Sequence, residues 1–376
     1  IARCPLGCSP AVHQLFIQES TKEPFSRPMS IESPTRPVPH PQADTMSVTQ
    51  KAFGFCRPLL HHAPSPLSAL VVQLMGLAGW VSRPVNHRLY WRFCRFLGQV
   101  LSAVSGSKTA DLCDVRLSPD CVMTLQLTDP YWSRVASSGY DYEPELYSVF
   151  ARLSTEPFTF IDCGANYGYW SILLSSQAFG AHPTLAVEAS PDTVCWLRRN
   201  AGLNGDRFGI VHQAIASQSG QWVVMDAASG HAGAHIVSAQ PDQAGATQEG
   251  VTTITLDEVF THCLPQHFGS DTLPERVVVK LDVEGQEIPA LKGATALFEQ
   301  DMLLVYEDHG KDVRHEVTRF ILEELGLNVY YAHPDGRLEP ITDLKALDRI
   351  KTRLTVGYNF MACRSGTHFD VLLQQG

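Results

Sequence analysis

The sequence predicts an α/β fold: a doubly wound, mainly parallel sheet of seven strands behind an N-terminal helical extension. Three observations carry this. Short apolar runs alternate with helical apolar patterns from residue 158 onward. A glycine-containing turn, FIDCGANYGYW at Phe160 to Trp170, joins the first such run to the first such helix. Acids stand at the ends of successive runs, where ligands bind in doubly wound sheets. The 376 residues, 44% hydrophobic and 18% charged, suffice for one sizeable domain with an extension.

Residues 1–45 hold eight prolines, many Ser and Thr and no regular period, so they predict a disordered tail. The chain opens on Ile1, and Met46 is the expected natural start. Residues 46–110 predict a helical extension, with an apolar helical pattern from Pro66 to Val104 interrupted at Pro84. Its apolar stretch Leu67 to Val81 is 15 residues long, short of the roughly 20 that a membrane span needs. Arg83, Arg88, Arg92 and Arg95 lie among Tyr90, Trp91, Phe93 and Phe96. That mix suits peripheral membrane contact through residues 83–96, or a helix packed on the main domain with its arginines in water.

Residues 111–376 form the expected main domain. A hairpin is predicted at Asp114 to Leu117 and Val122 to Leu127, then a helix from Glu143 to Leu153. The seven strands are expected at Phe158 to Ile161, Thr184 to Val187, Ile210 to Gln213, Val277 to Leu281, Met302 to Tyr306, Asn328 to Tyr331 and Val356 to Met361. Helices are expected at Tyr169 to Ala178, Asp192 to Leu203, Gln286 to Glu299 and Val313 to Leu325. Gly230 to Gly250, rich in Ala, Gly, Gln and His, reads as a lid or an insertion.

The formal charge of -10 excludes a general nucleic-acid binder, which needs a basic footprint. The ten cysteines show neither a zinc spacing nor a compact disulfide framework, which predicts a reducing, cytoplasmic setting.

The turn DxGxNxG, Asp162 to Gly168, places small residues where backbone approaches a nucleotide-like ligand at a helix start. Asn166 occupies the place of the second glycine of the dinucleotide fingerprint, so a pyrophosphate fits poorly and S-adenosylmethionine fits better. Glu188, at the end of the second strand, suits the two hydroxyls of a ribose. In VVVKLDVEGQE, Asp282 and Glu284 end a buried strand, and Lys280 shares a face with Asp282 and is placed to pair with it. YEDHG brings Glu307, Asp308 and His309 to the same edge, and His309 is the favoured general base. Asp282, Glu284, Glu307 and Asp308 are oxygen donors of the kind Mg²⁺ takes, but their spacing does not require an ion, and no metal ligand is assigned.

These motifs together resemble the FkbM-type family of S-adenosylmethionine-dependent methyltransferases. The likeness runs from YEPELYSVF at Tyr142 through DCGANYGYW, Glu188 with Pro191, Asn200 and Asn204, and TLDEVF at Thr255. It ends with KLDVEGQEIPALKGA at Lys280 and YEDHG. The resemblance implies a class I, Rossmann-like methyltransferase. It would place Asp162, Gly164, Ala165, Asn166 and Gly168 at the methionine end and Glu188 on the ribose. Gln213 and Ala214 would border the adenine, Ala189 would belong to the cofactor-binding set, and Asp282 would approach the sulfonium. Ala189 departs from a usual proline and Cys163 from a usual valine. The expected reaction is O-methylation of a small-molecule or glycan hydroxyl, with His309, Asp282 and Glu284 as catalytic candidates. The alternatives are an NAD-dependent oxidoreductase and a non-catalytic cofactor-binding module.

Overall fold

The computed structural model describes residues 59–62, 69–71, 73–74, 87–105, 111–129, 131–136, 142–226, 235–237, 250–269, 274–354 and 356–375. The predicted tail and Met46 lie outside them, as does most of the Gly230 to Gly250 stretch. The described residues belong to one compact unit, Cys56–Gly376.

A first sheet precedes the main one. β1 (Leu59–His62) pairs antiparallel with β2 (Leu112–Ser118), and β2 with β3 (Cys121–Gln126). The extension is therefore not wholly helical: β1 is a strand that borrows β2 as its partner, and its four residues carry no alternation to announce it. Between β1 and β2 lies α1 (His87–Ser105). Leu101 is buried, and a Cβ on Gly98 would meet Leu127 O and Thr128 Cα at 2.9 Å, so only glycine allows this approach to the hairpin.

After α2 (Pro144–Leu153) come β4 (Thr159–Cys163), α3 (Tyr169–Leu174), β5 (Thr184–Val187), α4 (Pro191–Leu203) and β6 (Gly209–Val211). A small sheet follows: β7 (Ala214–Ile215), β8 (Trp222–Asp226), β9 (His235–Val237) and β10 (Gly250–Ile254), in the order β7-β10-β8-β9. β11 (Arg276–Leu281), α5 (Glu287–Lys292), β12 (Asp301–His309), α6 (Glu316–Arg319), β13 (Asn328–Ala332), β14 (Leu338–Ile341), α7 (Lys345–Ile350), β15 (Gly357–Cys363) and α8 (His368–Gln374) complete the chain.

The central sheet runs β14-β13-β15-β12-β11-β4-β5-β6. Pairings among β12, β11, β4, β5 and β6 are parallel, while β15 is antiparallel to both β12 and β13. It thus has eight strands rather than seven. The addition, β14, reads LEPI, and Pro340 confines it to the sheet edge, where it pairs antiparallel with β13. Apolar side chains lie on both faces: Phe160, Val278, Leu303 and Val305 on one, Ile161, Val279, Leu281 and Leu304 on the other. This is the double burial that parallel strands require. Because the chain builds β5 and β6 on one side of β4 and then crosses to β11 on the other, the order reverses between β4 and β11. A crevice opens at such a reversal.

The outer edge of β3 is closed by α4. Asn200 Oδ1 accepts from Thr124 N at 2.8 Å and its amide donates to Thr124 O and Tyr167 O. Asn204 repeats this on Val122 N and Val122 O. One helical turn of four residues rises about 6 Å, and two strand residues advance about 6.6 Å, so i, i+4 asparagines match i, i+2 strand positions. Asn200→Ala leaves three buried backbone groups unpaired, and urea unfolding is expected to show a loss of roughly 2–4 kcal/mol.

Candidate active site

At the crevice, β4 ends in Asp162 and Cys163, and the chain turns through Gly164 with φ +79°, Asn166 with φ +53° and Gly168 with φ +90°. Gly164 is required by packing: a Cβ there would lie 1.9 Å from Asp282 O. Asp282 N in turn donates to Cys163 O at 3.1 Å, so the ends of β4 and β11 are locked together. Several of the turn's N–H groups are used internally. Gly164 N and Ala165 N donate to Val187 O, Gly168 N donates to Ala165 O, and Asn166 N donates to Glu188 Oε2 at 2.8 Å. The turn is a rigid platform more than a cradle of free donors.

Asp162 is buried and turns into the start of α3, where Ser171 N and Ser171 Oγ donate to its carboxylate at 3.1 and 2.6 Å. Burial pushes its pKa up, against Lys280 and Ser171. Glu188 accepts from Ser190 N as well as Asn166 N, both at 2.8 Å, and burial raises its pKa. Each oxygen keeps a further lone pair for a ligand hydroxyl. Ala189 packs against Ala214, Val223 and Val251, an apolar patch beside the ends of β5 and β7. Gln213, by contrast, directs its amide to Thr252 and Thr253 of β10.

Lys280 is buried at 3% exposure and donates to Asp282 Oδ2 at 2.9 Å, the pairing the sequence anticipates. Burial alone would lower its pKa, but Asp282, Glu143 and Asp162 together raise it. Around this one cation gather several acids. Glu143, just before α2 and in the left-handed region at φ +43°, accepts from Trp170 Nε1 at 2.5 Å. Burial and Asp282 push it up to about 7, against Lys280. Glu284, at the rim with φ +49°, is likewise pushed to about 7 by burial, Asp282 and Glu287. The Glu307 carboxyl stands well above the usual range through burial, Asp282, Glu143 and Glu284.

Strand alternation divides YEDHG. Glu307 and His309 share a face of β12, while Asp308 lies on the other, fully buried against Lys351 Nζ and Thr318 Oγ1. The four carboxylates considered for Mg²⁺ therefore do not converge. Among the described residues no group of three or more His, Cys, Asp or Glu is placed to hold a metal ion. His309 Nδ1 accepts from Lys311 N at 3.0 Å, and burial with Lys311 and Lys351 lowers its pKa. That bond places the neutral ring's proton on Nε2.

Sequence reasoning missed Glu143 and an aromatic wall. Trp132 donates from Nε1 to Asn166 Oδ1 at 3.0 Å and stacks on Tyr167, while Tyr142 packs 4.6 Å from Tyr169 between ring centroids. Their only signal was an aromatic cluster upstream of the turn.

Strand order, reversal point and acid-tipped strands define a class I, Rossmann-like methyltransferase fold, and the chain is a methyltransferase. Residues 162–329 match the family model described as Methyltransferase FkbM domain. A curated relative, the hexuronic acid methyltransferase AglP of Haloferax volcanii, is 26% identical over 200 residues, covering 53% of this chain and 75% of the relative. Among solved structures, Methyltransferase FkbM from Methylobacillus flagellatus KT is 14% identical with a TM-score of 0.33. That alignment covers 59% of this chain and only 55% of the other. The P. horikoshii TYW2 complex with MeSAdo is 13% identical with a TM-score of 0.33, over 75% of this chain and 83% of the other. The fold assignment rests on strand order, not on these superpositions. No helix among the described residues is long and apolar enough to cross a membrane.

Proposed function

We propose that the chain is an S-adenosylmethionine-dependent O-methyltransferase acting on a hydroxyl of a small molecule or glycan. The observation that carries this is the charge of the crevice: Glu143, Asp282, Glu284 and Glu307 gather around Lys280, which is already paired with Asp282. A sulfonium with an ammonium group is drawn to such a mouth, whereas the pyrophosphate of NAD would face a majority of carboxylates. The curated relative is named for a hexuronic acid, which supports a sugar as acceptor.

Glu188 would hold the ribose hydroxyls, and Ala189, Gln213 and Ala214 would border the adenine. Asp162, Gly164, Ala165, Asn166 and Gly168 would form the methionine end, and Asp282 would approach the sulfonium. When bound, the cofactor supplies the methyl group and departs as a neutral thioether. The chain's residues position the acceptor, exclude water and take the hydroxyl proton as oxygen bonds to the methyl carbon. His309, Asp282 and Glu284 are the proposed groups at that edge. The Lys311 bond to His309 Nδ1 favours a carboxylate as base, with His309 Nε2–H orienting the acceptor oxygen.

Turnover is then expected to rise as pH passes through about 7, where Glu284 and Glu143 lose their protons. Stability should move oppositely. These folded pKa values exceed unfolded ones near 4.3, so the contribution is full below that value and lost as pH rises through 7. Glu284→Gln should flatten the rise of turnover, and His309→Ala should lower turnover by about tenfold with cofactor binding kept. An unchanged pH profile in Glu284→Gln would remove Glu284 as base. The cofactor itself is tested by thermal shift, where S-adenosylhomocysteine should stabilise the fold and NAD should not.

A further inference from the structure

The arginine-rich helix ahead of the methyltransferase domain is not used by the site. α1 packs on the hairpin through Leu97, Gly98 and Leu101. On another face it exposes Phe93 at 39%, Phe96 at 58%, Val100 at 40% and Val104 at 69%. These positions recur at intervals of three and four, so they form one apolar stripe along the helix. Arg92, one residue before Phe93, is exposed as well, and the sequence of the same helix also contains Arg88 and Arg95.

Charge is divided along the chain in the same way. Residues 45–110 contain seven Lys or Arg and not one Asp or Glu, whereas residues 111–376 contain 18 Lys or Arg against 35 Asp or Glu. The acid-free stretch thus coincides with the segment that exposes the apolar stripe. A second copy of this chain could set its own stripe against this one, but would bring a second acid-free, basic segment with it, like charge against like. An anionic bilayer surface meets both at once, taking the aromatic side chains at the headgroup boundary and pairing the arginines with lipid phosphate and carboxylate.

We propose that α1 is an interfacial helix that docks the enzyme on an anionic membrane surface, lying in its plane without crossing it. Nineteen residues give a helix about 28 Å long, enough to seat both phenylalanines and both valines together. The enzyme would then act on acceptors held at, or delivered to, that surface.

Flotation of the full chain with vesicles tests this. Wild-type protein should float with vesicles containing phosphatidylserine in phosphatidylcholine and bind pure phosphatidylcholine at least tenfold more weakly. Phe93→Ser with Phe96→Ser should abolish flotation, and Arg92→Glu should weaken it about tenfold, more at low salt than at high. Both changes are at exposed positions, so the melting temperature and the thermal shift with S-adenosylhomocysteine should stay at wild-type values. That control also separates this inference from the proposed methyl transfer. Failure of wild-type protein to float would overturn the proposal, as would equal flotation of the double variant. So would a wild-type dimer that the double variant dissolves, because the stripe would then be a contact between copies.

Discussion

Asp308→Ala is expected to cost about 3–5 kcal/mol in urea unfolding and lower the melting temperature by about 10 °C. Asp308 is fully buried, and its carboxylate receives Lys351 Nζ and Thr318 Oγ1, the latter at 2.5 Å. Thr318 also accepts from Tyr306, and Lys351 donates onward to Asp312 O at 2.6 Å. Removing the carboxylate strands an ammonium that is 1% exposed. The intact pair is nonetheless no large source of stability, since burial raises the Asp308 pKa in spite of Lys351 and Thr318. Asp308→Leu with Lys351→Met should therefore recover most of the loss. A single variant within 1 kcal/mol of wild type would mean that Lys351 finds water or another acceptor.

Glu188→Ala is expected to weaken S-adenosylhomocysteine binding about 100-fold, roughly 2.7 kcal/mol. Two losses combine. On the proposed reading the ribose loses its acceptor, and Asn166 N and Ser190 N lose theirs, which loosens the turn. Glu188→Gln separates the two, because it keeps the side-chain shape but turns an amide N–H toward one of the two backbone donors. It should fall between wild type and alanine in calorimetric titration. Affinity within threefold of wild type in the alanine variant would dismiss the ribose role of Glu188.

The strand at Thr184–Val187 was legible to the residue, and the other six expected strands lie within a few residues of those observed. Apolar runs bounded by acids and glycines fix these elements locally. Helices were legible in place but not in form. The expected helix at Gln286 to Glu299 stops at Lys292, where a Cβ on Gly293 would lie 2.7 Å from Ala216 O, and resumes as a 3₁₀ turn at Leu297–Glu299. The one at Val313 to Leu325 is α over Glu316–Arg319 and π over Phe320–Glu324. Periodicity over so few turns does not distinguish these windings. The small sheet β7–β10 was missed because its strands pair across long connections and carry short patterns.

By itself the sequence determined the turn Asp162 to Gly168, the acid at Glu188 and the pairing of Lys280 with Asp282, because each depends on residues close along the chain. Tertiary structure alone decided which carboxylates meet. β12 lies beside β11 in the sheet, so Glu307 comes near Asp282, while Asp308 is buried against Lys351 from far along the chain. Glu143 arrives from another element entirely, because α2 begins where the crevice opens and Trp170 holds its carboxylate. The raised pKa values that suit proton transfer arise from that convergence, since desolvation and repulsion among acids depend on distance through space rather than along the chain.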